Sequence, residues 1–159
     1  MNNIWEKKEI IIWTQIILNS YEKLLKKPLI TRINIDEITQ AKNLFNADFV
    51  VLSHNNNQDP LYNYGNQKAL MLWEMSWEEL IKTPSKNTTQ PISREEREAL
   101  LQEANLKGYI TNYGGVRISS TGKKYYIKDI ILWNLTDNED KFCGQAATFS
   151  QWEELTVNN

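Results

Sequence analysis

Leu61-Tyr-Asn-Tyr-Gly-Asn-Gln-Lys-Ala-Leu-Met-Leu-Trp-Glu-Met-Ser-Trp-Glu-Glu-Leu80 reads as a short strand followed by two capped helices. Asn66 is placed to cap a helix carrying Ala69, Leu70 and Trp73, because a side-chain oxygen at that position accepts from the free N–H groups of the first turn. Ser76, with Glu79 three residues on, forms a capping box that opens the next helix.

Upstream, Phe49-Val-Val-Leu52 is an apolar run suited to a strand covered on both faces, and Asn55-Asn-Asn-Gln-Asp-Pro60 is a dense turn signal leading into Leu61–Tyr64. Together they make a first hairpin. Downstream, the polar run Lys86–Gln90 is a loop, and Ser93 with Glu96 caps a helix from about Arg94 to Asn105, with Leu100, Leu101 and Ala104 inward and Gly108 stopping it. Three strands follow, near Tyr109–Ser119, Lys124–Leu135 and Phe142–Gln151, joined by short turns at Ser120–Gly122 and Asp137–Asp140. In the middle strand, period-two alternation puts Tyr125, Ile127, Asp129, Ile131, Trp133 and Leu135 on one face, which we turn toward the helices. Ile130 and Leu132 then form an outer patch for an N-terminal helix to cover.

That helix is legible from Trp5 to Leu25, where Ile10, Trp13, Ile17, Tyr21 and Leu24 recur at helical spacing, Ile12 and Ile16 widen the stripe, and Pro28 marks the end. A face this wide must be covered, either by the sheet or by a second copy of the chain. A shorter helix follows, with Asp36 near its cap and Ile38, Ala41, Leu44 and Phe45 on its buried side.

A strand, two short helices and then a three-strand meander is the plan of the PAS sensory domains, and the residues resemble a particular branch. Leu72-Trp-Glu-Met-Ser-Trp-Glu-Glu-Leu80, Thr83-Pro-Ser85, Arg94-Glu-Glu-Arg97, Arg117-Ile-Ser-Ser-Thr-Gly122 and Cys143-Gly-Gln-Ala-Ala-Thr-Phe-Ser150, in that order, are similar to the MEKHLA domain. That family includes stand-alone bacterial proteins, notably cyanobacterial ones, and the C-termini of plant class III homeodomain-leucine-zipper factors. The resemblance implies an α+β fold with a PAS-like antiparallel five-stranded sheet, helices on one face, and an N-terminal helical extension. We place that extension at residues 1–46 and the PAS-like core at 47–153. The resemblance implies a sensing or interaction role and supplies no established reaction or ligand.

Composition sets further bounds. With 159 residues, 41% hydrophobic, six Trp and seven Tyr, the chain has material for one core. No apolar run approaches the ~18 residues of a membrane span, and Glu6 and Glu9 interrupt any N-terminal signal core, so a cytoplasmic protein without a membrane role is expected. A net charge of −2 gives no global basic field for nucleic acid, and Lys23, Lys26 and Lys27 read as a solvated helix end. The single Cys143 excludes an internal disulfide and a cysteine-rich zinc site, and no metal site is expected.

The candidate ligand pocket gathers Trp73, Trp77, Arg117, Tyr125, Asp129, Trp133, Gln145 and Phe149. An inward Asp129 needs a partner, since an isolated buried charge is costly, and Arg117 on the neighbouring strand is the candidate. The alternatives are a strand-edge ion pair, or Asp129 facing solvent through a bulge. For the aromatic residues the alternative is plain core. His54 reads as a turn residue tying down the first hairpin; beside Ser53 it cannot make a triad, because neighbours on an extended segment point to opposite sides. The histidine that haem-binding PAS domains supply from their helical side has no counterpart. Cys143 lies in a strand rather than in the adduct-forming helix motif of flavin photosensors, which leaves a non-covalent flavin or another small molecule, with Gln145 or Asn134 as hydrogen-bonding groups. No catalytic constellation is present in the sequence. Two functional readings follow. One is a sensory module whose occupied pocket alters association with a protein partner or a second copy. The other is a ligand-free interaction or dimerisation domain using the face of Ile10, Trp13, Ile17 and Tyr21.

Overall fold

The computed structural model describes residues 3–90 and 94–156. After a 3-10 turn at Ile4–Glu6, helix α1 (Lys8–Leu25) ends at Lys26, whose left-handed backbone (φ 62°) lets its N–H close on the Glu22 carbonyl two residues before Pro28. Helix α2 (Glu37–Phe45) starts at Asp36, whose carboxylate accepts from the Thr39 N–H at 2.9 Å, a bond that also lowers the carboxyl pKa. It buries Gln40, Ala41, Leu44 and Phe45 but leaves Ile38 exposed, contrary to the helical stripe read above.

Strands β1 (Val50–His54) and β2 (Tyr62–Gly65) form the first hairpin, followed by α3 (Gln67–Trp73) and α4 (Trp77–Leu80). The Ser76–Glu79 capping box is present in full. A 3-10 turn at Ser85–Thr88 occupies the stretch read as loop, and α5 (Arg94–Lys107) follows. Ala104 is buried and Leu100 half-buried; the expectations for Ser93 and the Leu101 side chain lie outside the described residues. The chain finishes with β3 (Tyr109–Ile118), β4 (Lys124–Thr136), β5 (Phe142–Phe149) and β6 (Gln151–Leu155). The antiparallel sheet runs β2-β1-β5-β4-β3, with β6 also on β4. Strand β6 continues β5 past an interruption at Ser150, since Ile131 pairs with Thr148 and Lys128 with Gln151 in one unbroken register. The five-stranded PAS-like sheet therefore appears as six segments.

Both faces of the sheet are covered, and each carries its own core. On one face α1 and α2 pack Ile10, Ile17, Leu18, Tyr21, Leu44 and Phe45 onto Val51, Tyr64, Trp133 and Leu135. On the other, Val50, Leu52, Tyr62, Ile127, Ile130 and Phe149 meet Leu72, Trp73 and Leu80 from the following helices. The stripe of α1 is thus covered by its own sheet. Ile10, Ile17 and Tyr21 are buried, and Trp13 is half-buried with its indole N–H donating to Ser53 Oγ at 2.8 Å, so these residues present no free interaction face.

Strand β4 changes sides midway. Residue 110 pairs with 132 and residue 113 with 130, so β3 carries one extra residue there; residue 115 pairs with 127, so β4 then carries one extra in turn. The left-handed residues Asn112 (φ 57°) and Asp129 (φ 53°) mark these bulges, which offset each other. Each bulge reverses the inward-outward alternation. Tyr125, Ile127, Ile130 and Leu132 face the α3 side, whereas Ile131, Trp133 and Leu135 face α1. This corrects the uninterrupted alternation assumed from sequence. Asp129 is exposed and forms no ion pair with Arg117. Trp133, fully buried, stacks edge-on against Tyr21 at 5.0 Å and donates to the Ile17 carbonyl at 3.3 Å.

Among the described residues, Tyr64 Oη is buried with no hydrogen-bond partner, and burial pushes its pKa up. Its ring meets Trp77 edge-on at 5.9 Å. Tyr64→Phe keeps that contact and removes an unmet polar group, so unfolding free energy should stay unchanged or rise by about 1 kcal/mol in denaturant titration. A loss above about 1 kcal/mol would show that the hydroxyl is satisfied in solution.

Candidate functional site

A cavity of about 200 Å³ lies between the α3-side face of the sheet and a cover made by the Ser85–Thr88 turn, Thr89 and Leu100. Its apolar wall comes from Leu52, Trp73, Tyr113, Ile130, Leu132, Ala147 and Phe149, with Trp73 and Phe149 rings 6.2 Å apart. The polar lining residues are Ser53, His54, Ser85, Thr89, Arg117 and Gln145. This is the composition of a small-molecule site: mostly apolar, with a few groups able to orient a ligand.

The bulged β3 delivers the main polar group. Tyr113, Gly115 and Arg117 alternate onto the face where their β4 partners Ile130, Ile127 and Tyr125 lie. The Arg117 guanidinium folds back along the strand. Its carbon sits 5.9 Å from the centre of the Tyr113 ring, and Nη1 donates to the Val116 carbonyl at 3.0 Å. A side chain at Gly115 would place its Cβ 3.0 Å from Nη1, so the glycine makes the room in which the guanidinium rests. Among the described residues no carboxylate pairs with Arg117.

His54 lines the cavity at the end of β1. Its Nδ1 lies 2.7 Å from the Asn55 carbonyl, which only accepts, so Nδ1 carries the proton in the neutral ring and Nε2 is left as an acceptor. Beside it, Gly144 lets β5 approach β1 closely, for a Cβ there would come 2.2 Å from the His54 carbonyl oxygen. Gln145 Nε2 donates to Asn134 Oδ1 at 3.3 Å.

Wall and cover are joined by a buried chain of hydrogen bonds. Thr88 Oγ1 gives its proton to the Ser85 carbonyl at 3.0 Å, so Tyr62 must be the donor in the 2.5 Å bond between its hydroxyl and Thr88. Trp73 Nε1 in turn donates to Tyr62 Oη at 3.3 Å. Burial raises the Tyr62 pKa, the bonds to Thr88 and Trp73 working against it. The far end of α3 is held by Glu74, which accepts from Ser119 Oγ at 2.8 Å, from Thr121 Oγ1 and from Lys123, holding its carboxyl below the usual range.

The structure brings Trp73, Arg117, Gln145 and Phe149 together around this cavity, and Asn134 reaches it only through Gln145. It does not bring the other four there. Trp77 packs against Tyr64 in the α1-side core, Trp133 lies beneath α1, Asp129 points to solvent, and Tyr125 is buried on the correct face but beyond the cavity wall. Tyr113, Ser85 and Thr89 were missed. The Tyr113-x-Gly115-x-Arg117 alternation was the available signal. Cys143 is half-buried outside the lining, with its Sγ 3.6 Å from the Leu135 carbonyl and its pKa raised by burial.

Residues 11–154 match the MEKHLA domain. The chain belongs to the MEKHLA domain family. Comparison with curated proteins gives no match. Among solved structures, this MEKHLA chain is similar to a PAS domain from Colwellia psychrerythraea, with a TM-score of 0.59 at 13% identity over 74% of this chain and 95% of that one. It is also similar to a light-oxygen-voltage domain studied with a flavin analogue (TM-score 0.55, 13% identity, 74% of this chain and 85% of that one). An RNA-binding light-oxygen-voltage receptor gives a TM-score of 0.61 at 11% identity, over 80% of this chain and 35% of the receptor. At these identities the likeness establishes the PAS fold. The cavity, at about 200 Å³, is smaller than the ~300–1,000 Å³ usual for pockets of drug-sized ligands. Among the described residues no cluster of metal-binding side chains occurs, and no helix is long and apolar enough to cross a membrane.

Proposed function

We propose that this MEKHLA domain is a sensory module that binds a small molecule between its sheet and the Ser85–Thr88 cover and reports occupancy by changing its association with another protein or a second copy. The observation that carries this reading is the cavity itself, in which uncommitted polar groups on Arg117 and His54 meet an aromatic wall. The chain Trp73–Tyr62–Thr88–Ser85 gives the ligand a route to the surface, since displacement of Trp73 moves the acceptor of its indole and hence the cover. With the α1 stripe covered, a partner would read the cover or the part of the sheet beyond α1, where Tyr126 and Leu155 are 39% exposed.

The reading is tested by native mass spectrometry of the freshly purified chain, repeated after denaturation, with a two-dimensional NMR screen of small aromatic fragments. A discrete mass released on denaturation, or fragments that shift the Trp73 indole signal, is the expected result. A clean apo mass with no fragment touching Trp73 would overturn it in favour of a ligand-free association domain.

A further inference from the structure

We infer that the cavity takes a small carboxylic acid, its apolar body of about one ring lying against Trp73 and Phe149 and its carboxylate on Arg117. This rests on the ligand-binding reading above and narrows it to one chemical class. Size sets the first limit. A cavity of ~150 Å³ is enough for one benzene ring, so about 200 Å³ leaves room for a ring plus a short polar group.

Charge sets the second. Guanidinium offers several donors in a planar fork suited to carboxylate, and only one bond, from Nη1 to its own strand at Val116, is made. The cation–π contact with Tyr113 holds the group in place without neutralising it. Arg117 also belongs to an outer depression of about 680 Å³ that shares Ser85, Thr89 and Tyr113 with the cavity, so it stands where a ligand would enter. The carboxylate lining that depression, Asp59, is engaged by Lys86 at 3.4 Å. An anion passing inward therefore meets an uncompensated cation with an aromatic wall behind it, where lowered solvent exposure strengthens the attraction.

The test compares phenylacetate with its neutral near-isostere phenylacetamide, titrated calorimetrically into the full chain, with the Trp73 indole NMR signal reporting location. The acid should bind at least tenfold more tightly than the amide. Arg117→Gln should abolish that preference while leaving the amide's affinity and the unfolding midpoint unchanged, because the Arg117 side chain bonds only its own strand and the backbone bridge from Arg117 to Thr89 is untouched. Gly115→Ala, which crowds the guanidinium, should weaken the acid alone. Equal affinity of acid and amide, or a preference that survives Arg117→Gln, would overturn the anion assignment and leave the ligand-binding reading standing. Failure of both compounds to bind would overturn the assignment of a one-ring carboxylic acid, whereas the ligand-binding reading falls only with a clean apo mass and no fragment at Trp73.

Discussion

Asn66→Ala should lower the unfolding free energy by about 3–5 kcal/mol, a large share of the ~5–15 kcal/mol available to a domain. Asn66 is fully buried, and all its hydrogen-bonding capacity is used. Its Oδ1 accepts from the Ala69 N–H at 3.2 Å and the Val51 N–H at 3.1 Å, while Nδ2 donates to the carbonyls of Leu44 at 3.1 Å and Phe49 at 2.8 Å. The backbone N–H of Asn66 also reaches the Val51 carbonyl at 3.1 Å, so backbone and side chain together extend the pairing of β1 by one step. One amide thus caps α3, closes β1 and fixes the end of α2. Loss of a cap alone costs about 1 kcal/mol, but truncation also strands buried groups on three elements at about 1–3 kcal/mol each, partly relieved by relaxation. Urea unfolding followed by tryptophan emission measures this. Asn66→Asp sharpens the case, since it sets a carboxylate against two carbonyls at neutral pH. Its folded-state pKa must rise, so the destabilisation should ease as the solution is acidified through that pKa. A loss below about 1 kcal/mol for Asn66→Ala would mean that the four bonds do not form together.

That residue also shows what sequence conveys and where it stops. The cap to Ala69 was legible because donor and acceptor are three residues apart, as was the Ser76–Glu79 box. The bonds to Leu44, Phe49 and Val51 follow only once α2 and β1 have been brought to the same point, which no local pattern records. The strands were placed for the same local reasons, from short turns and apolar runs. Their facing was not. Asp and Asn are poor strand formers that tolerate left-handed backbone, so Asp129 and Asn112 carried a hint of the bulges, and exposure of Asp129 through a bulge was one of the alternatives weighed. The site followed the facing. Arg117, Gln145 and Phe149 line the cavity from strands for which no facing was read, whereas Trp133 was carried to the wrong core by a single residue of phase. The His54 side chain bonds only the carbonyl of its neighbour Asn55, which itself spans the turn to Leu61, and His54 lines the cavity from that position.

Deletion of Asp129 should cost about 2–3 kcal/mol while leaving both cores in place, an effect larger than a substitution at that exposed position would suggest. Three interruptions line up across the sheet: Asn112 in β3, Asp129 in β4, and Ser150 between β5 and β6. Each adds one residue at the same level, so neighbouring strands change sides together and their pairing survives. Removing that residue restores plain alternation in β4, which keeps Ile127, Ile130 and Leu132 on the α3 side and Ile131, Trp133 and Leu135 on the α1 side, but it leaves the extra residues at Asn112 and Ser150 with no counterpart on the central strand. Both neighbouring ladders must then absorb an unmatched bulge at one level. Substitutions separate backbone from side chain. Asp129→Gly should be neutral within a few tenths of a kcal/mol, because glycine adopts φ 53° freely, and Asp129→Val should lose about 1–2 kcal/mol to left-handed strain. Thermal and denaturant unfolding with the emission maximum of the buried tryptophans would measure all three. A deletion variant that unfolds cooperatively within about 1 kcal/mol of the parent would show that the neighbouring strands absorb their unmatched residues without loss.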